Sequence, residues 1–114
     1  MFLVVFRNRK RADIDSGAYA ADAAAMERLA QAQPGFLSFK SYTADDGEVV
    51  AISEWADEAA ARAWGRLEEH RGVQRRGRAE YYADYTLFAC GDVRVHRFAA
   101  DRPHPSRNDT RPAA

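Results

Sequence analysis

The sequence predicts an α+β domain in the order β-α-β-β-α-β, four antiparallel strands with two helices on one face. Three observations carry this: an apolar β-prone run at the start, a hairpin signature in the middle, and two alanine-rich segments on either side of it. At 114 residues and 12.8 kDa there is room for one small domain with one core.

Met1 to Arg7 reads MFLVVFR, unbroken rather than alternating, as expected of a strand buried on both faces. The basic cluster Arg7, Arg9, Lys10 and Arg11 is expected to end it. Asp13, Asp15 and Ser16 are N-cap types ahead of a helix over Gly17 to Gln33, with Tyr19, Ala23, Met26 and Ala30 as its buried stripe and Leu29 beside it. Pro34-Gly35 stops that helix. Phe36 to Thr43 and Glu48 to Trp55 flank Asp45-Asp46-Gly47, so the pair reads as a β-hairpin with glycine supplying positive φ.

Asp57 and Glu58 open the second helix, where acidic residues favour the positive end of the dipole. If it runs straight, Ala60, Ala63, Trp64, Leu67, His70 and Gln74 share one arc, with Gly72 and Gly77 expected to make a break or kink before Arg78. A last strand over Glu80 to Phe98 carries Tyr81, Tyr82, Tyr85 and Phe88, with Gly91-Asp92 suited to a bulge. Period-two counting puts Tyr81 and Tyr85 on one face and Tyr82 on the other. The domain is thus assigned to residues 1–98. The Pro-rich polar segment 99–114 reads as a disordered or loosely packed tail. The order is the split βαβ arrangement of ferredoxin-like folds.

Composition narrows the function. Hydrophobic residues are 46% of the chain, but 23 residues are alanine, so the monomer's core is thin and a second copy is a plausible cover for the sheet's other face. Seventeen basic and seventeen acidic residues leave no net charge, against nucleic-acid binding driven by bulk electrostatics. The third strand, EVVAISEW, also lacks the Lys/Arg-Gly-aromatic string of an RNA recognition motif. No apolar run approaches a membrane span, and Met1 to Phe6 lacks the flanks of a signal peptide. Lone Cys90 excludes an intrachain disulfide and reads as an inert buried thiol, which points by default to the cytoplasm. No phosphate-binding glycine loop, GxSxG, HExxH or CxxC appears, and His96 and His104 stand isolated, so no metal site is assigned.

The string W-x5-H-x3-Q-x2-G-R-x2-Y-Y-x2-Y, from Trp64 to Tyr85, together with the element order, resembles the antibiotic biosynthesis monooxygenase (ABM) family of dimeric α+β barrels. The resemblance covers about residues 1–98 and implies a homodimer. In oxygenases of that family an asparagine ending the first strand, a tryptophan on the second helix and a histidine after it line the pocket. Asn8, Trp64 and His70 fill those positions here.

The resemblance then implies a cofactor-independent oxygenase of a phenol or quinol. The chemistry suits it: neutral imidazole as base, an amide for a developing oxyanion, indole as a planar wall. Phe6, on the face of Asn8, and Arg78, Tyr81 and Tyr85 are the substrate-binding candidates, Arg78 holding an acidic group or a dimer contact. A haem-degrading branch of the family uses the histidine as an iron ligand, at a longer spacing from its tryptophan than here. The remaining alternative is a non-catalytic dimer that binds a small hydrophobic ligand or serves in a stress response. On residue chemistry alone, Trp64 also suits a core anchor, His70 a helix-end contact and Asn8 a turn. The run Arg62, Arg66, Arg71, Arg75, Arg76 and Arg78 with Glu68 and Glu69 reads as a solvated face.

Overall fold

The structure is a computed structural model and describes residues 1–101, without the side chain of Glu68. Most of the expected tail, and His104 with it, lies outside the described residues. Strands β1 (Phe2–Lys10), β2 (Phe36–Thr43), β3 (Val49–Trp55) and β4 (Tyr82–Cys90) form one antiparallel sheet in the order β2-β3-β1-β4. Helices α1 (Ser16–Gln31), α2 (Glu58–Arg66) and α3 (Glu68–Arg76) belong to its one covered face, and a π-helical turn over Gly77–Tyr81 leads into β4. The expected ferredoxin-like architecture is present, its second helix divided in two.

Helix α1 begins where its cap chemistry directs, Asp15 accepting the Ala18 N–H at 2.9 Å. Tyr19, Met26, Leu29 and Ala30 face inward as expected. Ala23 is exposed, and Asp22 and Ala25 take the inner side in its place. The hairpin turns on Gly47 at φ 92°, closed by Ala44 N–H to Glu48 O at 2.8 Å.

Four expectations are corrected. Strand β1 does not stop at the basic cluster. Arg7 and Arg9 point to the uncovered face, where they pair with Glu48 at 3.5 Å and Asp46 at 2.8 Å, and Lys10 to the other, so the alternation carries the charges through the strand. The second helix breaks first at Leu67 (φ −60°, ψ 138°), and Gly72 sits inside α3; the expected change before Arg78 falls at Gly77, where α3 gives way to the π-helical turn. Strand β4 starts at Tyr82, and the chain leaves the sheet at Gly91-Asp92, with Asp92 at φ 53°, rather than bulging there. The β1–β4 irregularity lies between Arg9 and Lys10 instead. Cys90, expected to be buried, is exposed because it closes edge strand β4.

The core sits at the Phe2 end of β1. Trp55 is fully buried between Phe36, edge-on at 5.5 Å, and Trp64, stacked at 6.0 Å, with Phe2, Val4, Ala30, Ala60 and Ala61 around it. Its indole N–H donates to Ser53 Oγ at 3.0 Å, so burial leaves no polar atom unpaired there.

Candidate active site

The covered face of β1 presents Phe2, Val4, Phe6, Asn8 and Lys10 in turn, about 7 Å apart. Its far end is polar but partly buried. Asn8 is 2% exposed, paired in register with Val49 on one side and Tyr85 on the other. Lys10 Nζ donates to Asn8 Oδ1 at 2.7 Å. That bond orients the amide: its oxygen is engaged, so its NH2 is the end suited to an acceptor on a ligand.

Around Asn8 the aromatic rings close in. Phe6 packs against Tyr82 at 5.3 Å and Tyr85 at 5.1 Å, and Tyr82 meets Tyr85 at 5.9 Å. The tyrosine assignment by simple alternation is therefore corrected. Tyr81 belongs to the π-helical turn, and the irregularity opposite Lys10 brings Tyr82 onto the face of Tyr85. Gly77 makes room for this, since a Cβ there would fall 2.6 Å from the Tyr82 ring. Burial, with the neighbouring Tyr19 hydroxyl, pushes Tyr82 well above the ordinary tyrosine range and keeps it a neutral donor.

Trp64 and His70 form the second group. In an unbroken helix six residues would set them about 120° apart. The break at Leu67 instead lays the imidazole flat on the indole, 4.1 Å between centroids and 18° between planes. His70 Nδ1 lies 3.0 Å from Trp64 O. A carbonyl only accepts, so Nδ1 carries the proton and Nε2 the free lone pair. Burial holds His70 below its ordinary 6.5, partly opposed by that bond, so the ring is neutral near neutral pH. Trp64 is stacked on buried Trp55 and packs against the core containing Val4, two residues from Phe6. The Trp64–His70 pair thus sits by the core at the Phe2 end of the covered face, and Asn8 lies toward the other end of β1, with Phe6 between it and Val4.

Tyr81 reaches the first group from behind, edge-on to Tyr19 at 5.3 Å and to Tyr82 at 6.4 Å, and Arg78 lies at the surface. Tyr81 is 2% exposed and donates to Asp22 Oδ2 at 2.7 Å, while Arg76 grips the same carboxylate through Nε and Nη2, both at 2.9 Å. Arg76 above all, then Tyr81, holds Asp22 below the ordinary 3.8. This triad ties α1 to α3 and the π-helical turn and engages the Tyr81 hydroxyl. Its signal in the sequence is an acid three residues after Tyr19 and four before Met26, inside an apolar stripe. Arg78 is exposed, and its carbonyl accepts from Arg11 Nη2 at 2.8 Å. Lys10, Tyr19 and Tyr82 were missed as site residues. Lys10 stands at the period-two position after Asn8, a signal hidden once the basic cluster is read as the strand's end.

His70 Nε2 is the nitrogen with the chemistry to ligate a metal such as haem iron. Among the described residues no three His, Cys, Asp or Glu side chains gather as a metal site. A shallow depression between Pro34, Gly35, Ala60 and Ala63 lies elsewhere, and its carboxylate, Asp57, is spent capping α2. Among the described residues no helix is long and apolar enough to cross a membrane.

Fold and site together define a small ferredoxin-like α+β protein with an aromatic-lined sheet face that carries a buried amide at one end and a neutral imidazole at the other. A profile of the family described as antibiotic biosynthesis monooxygenase matches residues 1–76, and the chain belongs to that family. It is 33% identical over 86 residues to the uncharacterized protein YqjZ of Bacillus subtilis, covering 75% of this chain and 74% of the relative. Its fold is similar to Rv0793 from Mycobacterium tuberculosis (TM-score 0.73, 18% identity, 84% of this chain and 98% of that one). It is also similar to a variant of SnoaB from Streptomyces nogalater, described as a cofactor-independent oxygenase (TM-score 0.69, 18% identity, 82% and 94%).

Proposed function

We propose that the protein is a cofactor-independent monooxygenase that oxidises an aromatic phenol or quinol, with His70 as base, Trp64 as its wall and Asn8 as oxyanion donor. The observation that carries the reading is the tautomer of His70: Nδ1–H is committed to Trp64 O, and Nε2 is left as a neutral base. The family assignment and the description of SnoaB support it. Nε2 takes the phenol proton, and the phenolate, now a strong reductant, passes an electron to dioxygen. Recombination forms a C–O bond on the ring. Loss of water then yields a quinone, one oxygen atom entering as carbonyl and the other leaving in water. The Asn8 NH2 donates to the charge as it develops at the side of the substrate remote from His70, and Phe6 and Tyr85 are the aromatic surface beneath the ring.

Oxygen consumption with a panel of naphthols and hydroquinones, in protein freed of metal by chelation, tests this. Uptake that matches quinone formation is the expected result. No uptake with any member, or uptake only after haemin is added with a Soret band that His70→Ala abolishes, overturns it.

The reading includes a homodimer. The sheet face opposite the helices carries Leu3, Val5, Val50, Ile52 and Phe88, the last 46% exposed, an apolar area of the kind a second copy covers. Sedimentation equilibrium is expected to give twice 12.8 kDa, and the monomer mass at micromolar concentration contradicts the dimer.

A further inference from the structure

The aromatic face around Asn8 is open on one side and cationic at one end. Leu87, paired with Phe6, is 55% exposed and Tyr85 is 40% exposed although both lie on the face the helices cover. Phe6, Tyr85 and Leu87 therefore floor an apolar trough that ends at Lys10. The Lys10 ammonium stands 4.7 Å from the Tyr19 ring centre and 5.7 Å from that of Tyr82, and one of its three donors is bonded to Asn8 Oδ1. Arg7 and Arg9, on the opposite face of β1, have carboxylates beside them, and Asp22, on α1 one turn from Tyr19, is held by Arg76 and Tyr81. Among the described residues no carboxylate lies within salt-bridge distance of Lys10. Rings on two sides favour a cation there and exclude water from part of it, but they neutralise no charge.

We propose that Lys10 is a specificity-determining residue that selects aromatic ligands bearing a carboxylate, with the ring on Phe6, Tyr85 and Leu87 and the acid at the Lys10–Asn8 corner. This rests on the aromatic-site reading above. A carboxylate has two oxygens to offer, and the two Lys10 N–H groups not bonded to Asn8 can donate to them, which leaves the Asn8 NH2 to the oxyanion. A neutral ring of the same size gains the apolar contact only.

The test titrates 2-naphthoate, anionic near neutral pH, and 2-naphthol, neutral there, into the full-length protein by calorimetry. The wild type is expected to favour 2-naphthoate by roughly tenfold, the scale of one partly desolvated charge-assisted contact, and added salt narrows the ratio. Lys10→Met is expected to bring the two dissociation constants together, and a far-UV circular dichroism spectrum matching the wild type shows that the variant is folded. Lys10→Arg keeps most of the preference. Equal affinities in the wild type, or a preference that survives in Lys10→Met, overturn the role of Lys10 and leave the aromatic site standing. Failure of both probes to bind overturns the aromatic site, and the carboxylate corner with it.

Discussion

Substitution of His70 by alanine is expected to lower oxygenase turnover by about 100- to 10,000-fold, the usual worth of a positioned general base. The half-buried imidazole lies on Trp64, so its loss removes both the base and the ring that covers one indole face. The pH profile separates these effects. With its folded pKa below 6.5, His70 is neutral and active across neutral pH, and kcat/KM is expected to fall on the acid side with an inflection below 6.5. In His70→Ala that inflection disappears from the residual rate. Stability follows the same linkage. The unfolded chain protonates its histidine near 6.5 while the folded chain resists, so below 6.5 the unfolded state binds more protons and His70 makes folding less favourable as pH falls. Wild-type turnover in His70→Ala, or an unchanged acid limb, would remove His70 from the mechanism.

Trp55→Ala is expected to cost about 3–5 kcal/mol of folding stability, the range for emptying a fully buried large aromatic site. A domain of this size has about 5–15 kcal/mol in all, so the variant is close to unfolding. The reason is local: Trp55 is wholly buried and touches both Phe36 and Trp64, and the alanines around it, Ala30, Ala60 and Ala61, have no side chain long enough to collapse into the space. Trp55→Phe keeps most of the apolar volume and loses only the indole N–H bond to Ser53, so its cost is smaller. Urea unfolding followed by circular dichroism measures both. A loss under about 1 kcal/mol for Trp55→Ala would show that the Phe2 end of the sheet is not the chief source of stability.

Much of the fold was legible because it is written in local chemistry. The hairpin follows from Asp46-Gly47 between two apolar runs, and α1 from a cap carboxylate ahead of alanines. What escaped depended on contacts between distant residues. The bend at Leu67 has neither glycine nor proline at its position to mark it; the Trp64 carbonyl, taken by Leu67 N–H and His70 Nδ1, holds it. The end of β1 was misread because four basic residues resemble a solvated loop. In the sheet, two of them pair with hairpin acids and a third lies over aromatic rings.

By itself the sequence determined the order of strands and helices and the face on which Phe6 and Asn8 lie, because period, turn residues and caps act within a few residues of one another. The nomination of Asn8, Trp64 and His70 came from the resemblance to the ABM family. Only the tertiary structure decided that Trp64 and His70 stack, that Tyr82 replaces Tyr81 beside Phe6, and that Lys10 secures Asn8. Each of those turns on a single break or register shift, whose free energy comes from packing between segments far apart in the chain, such as Tyr82 against Phe6 and Tyr81 against Asp22.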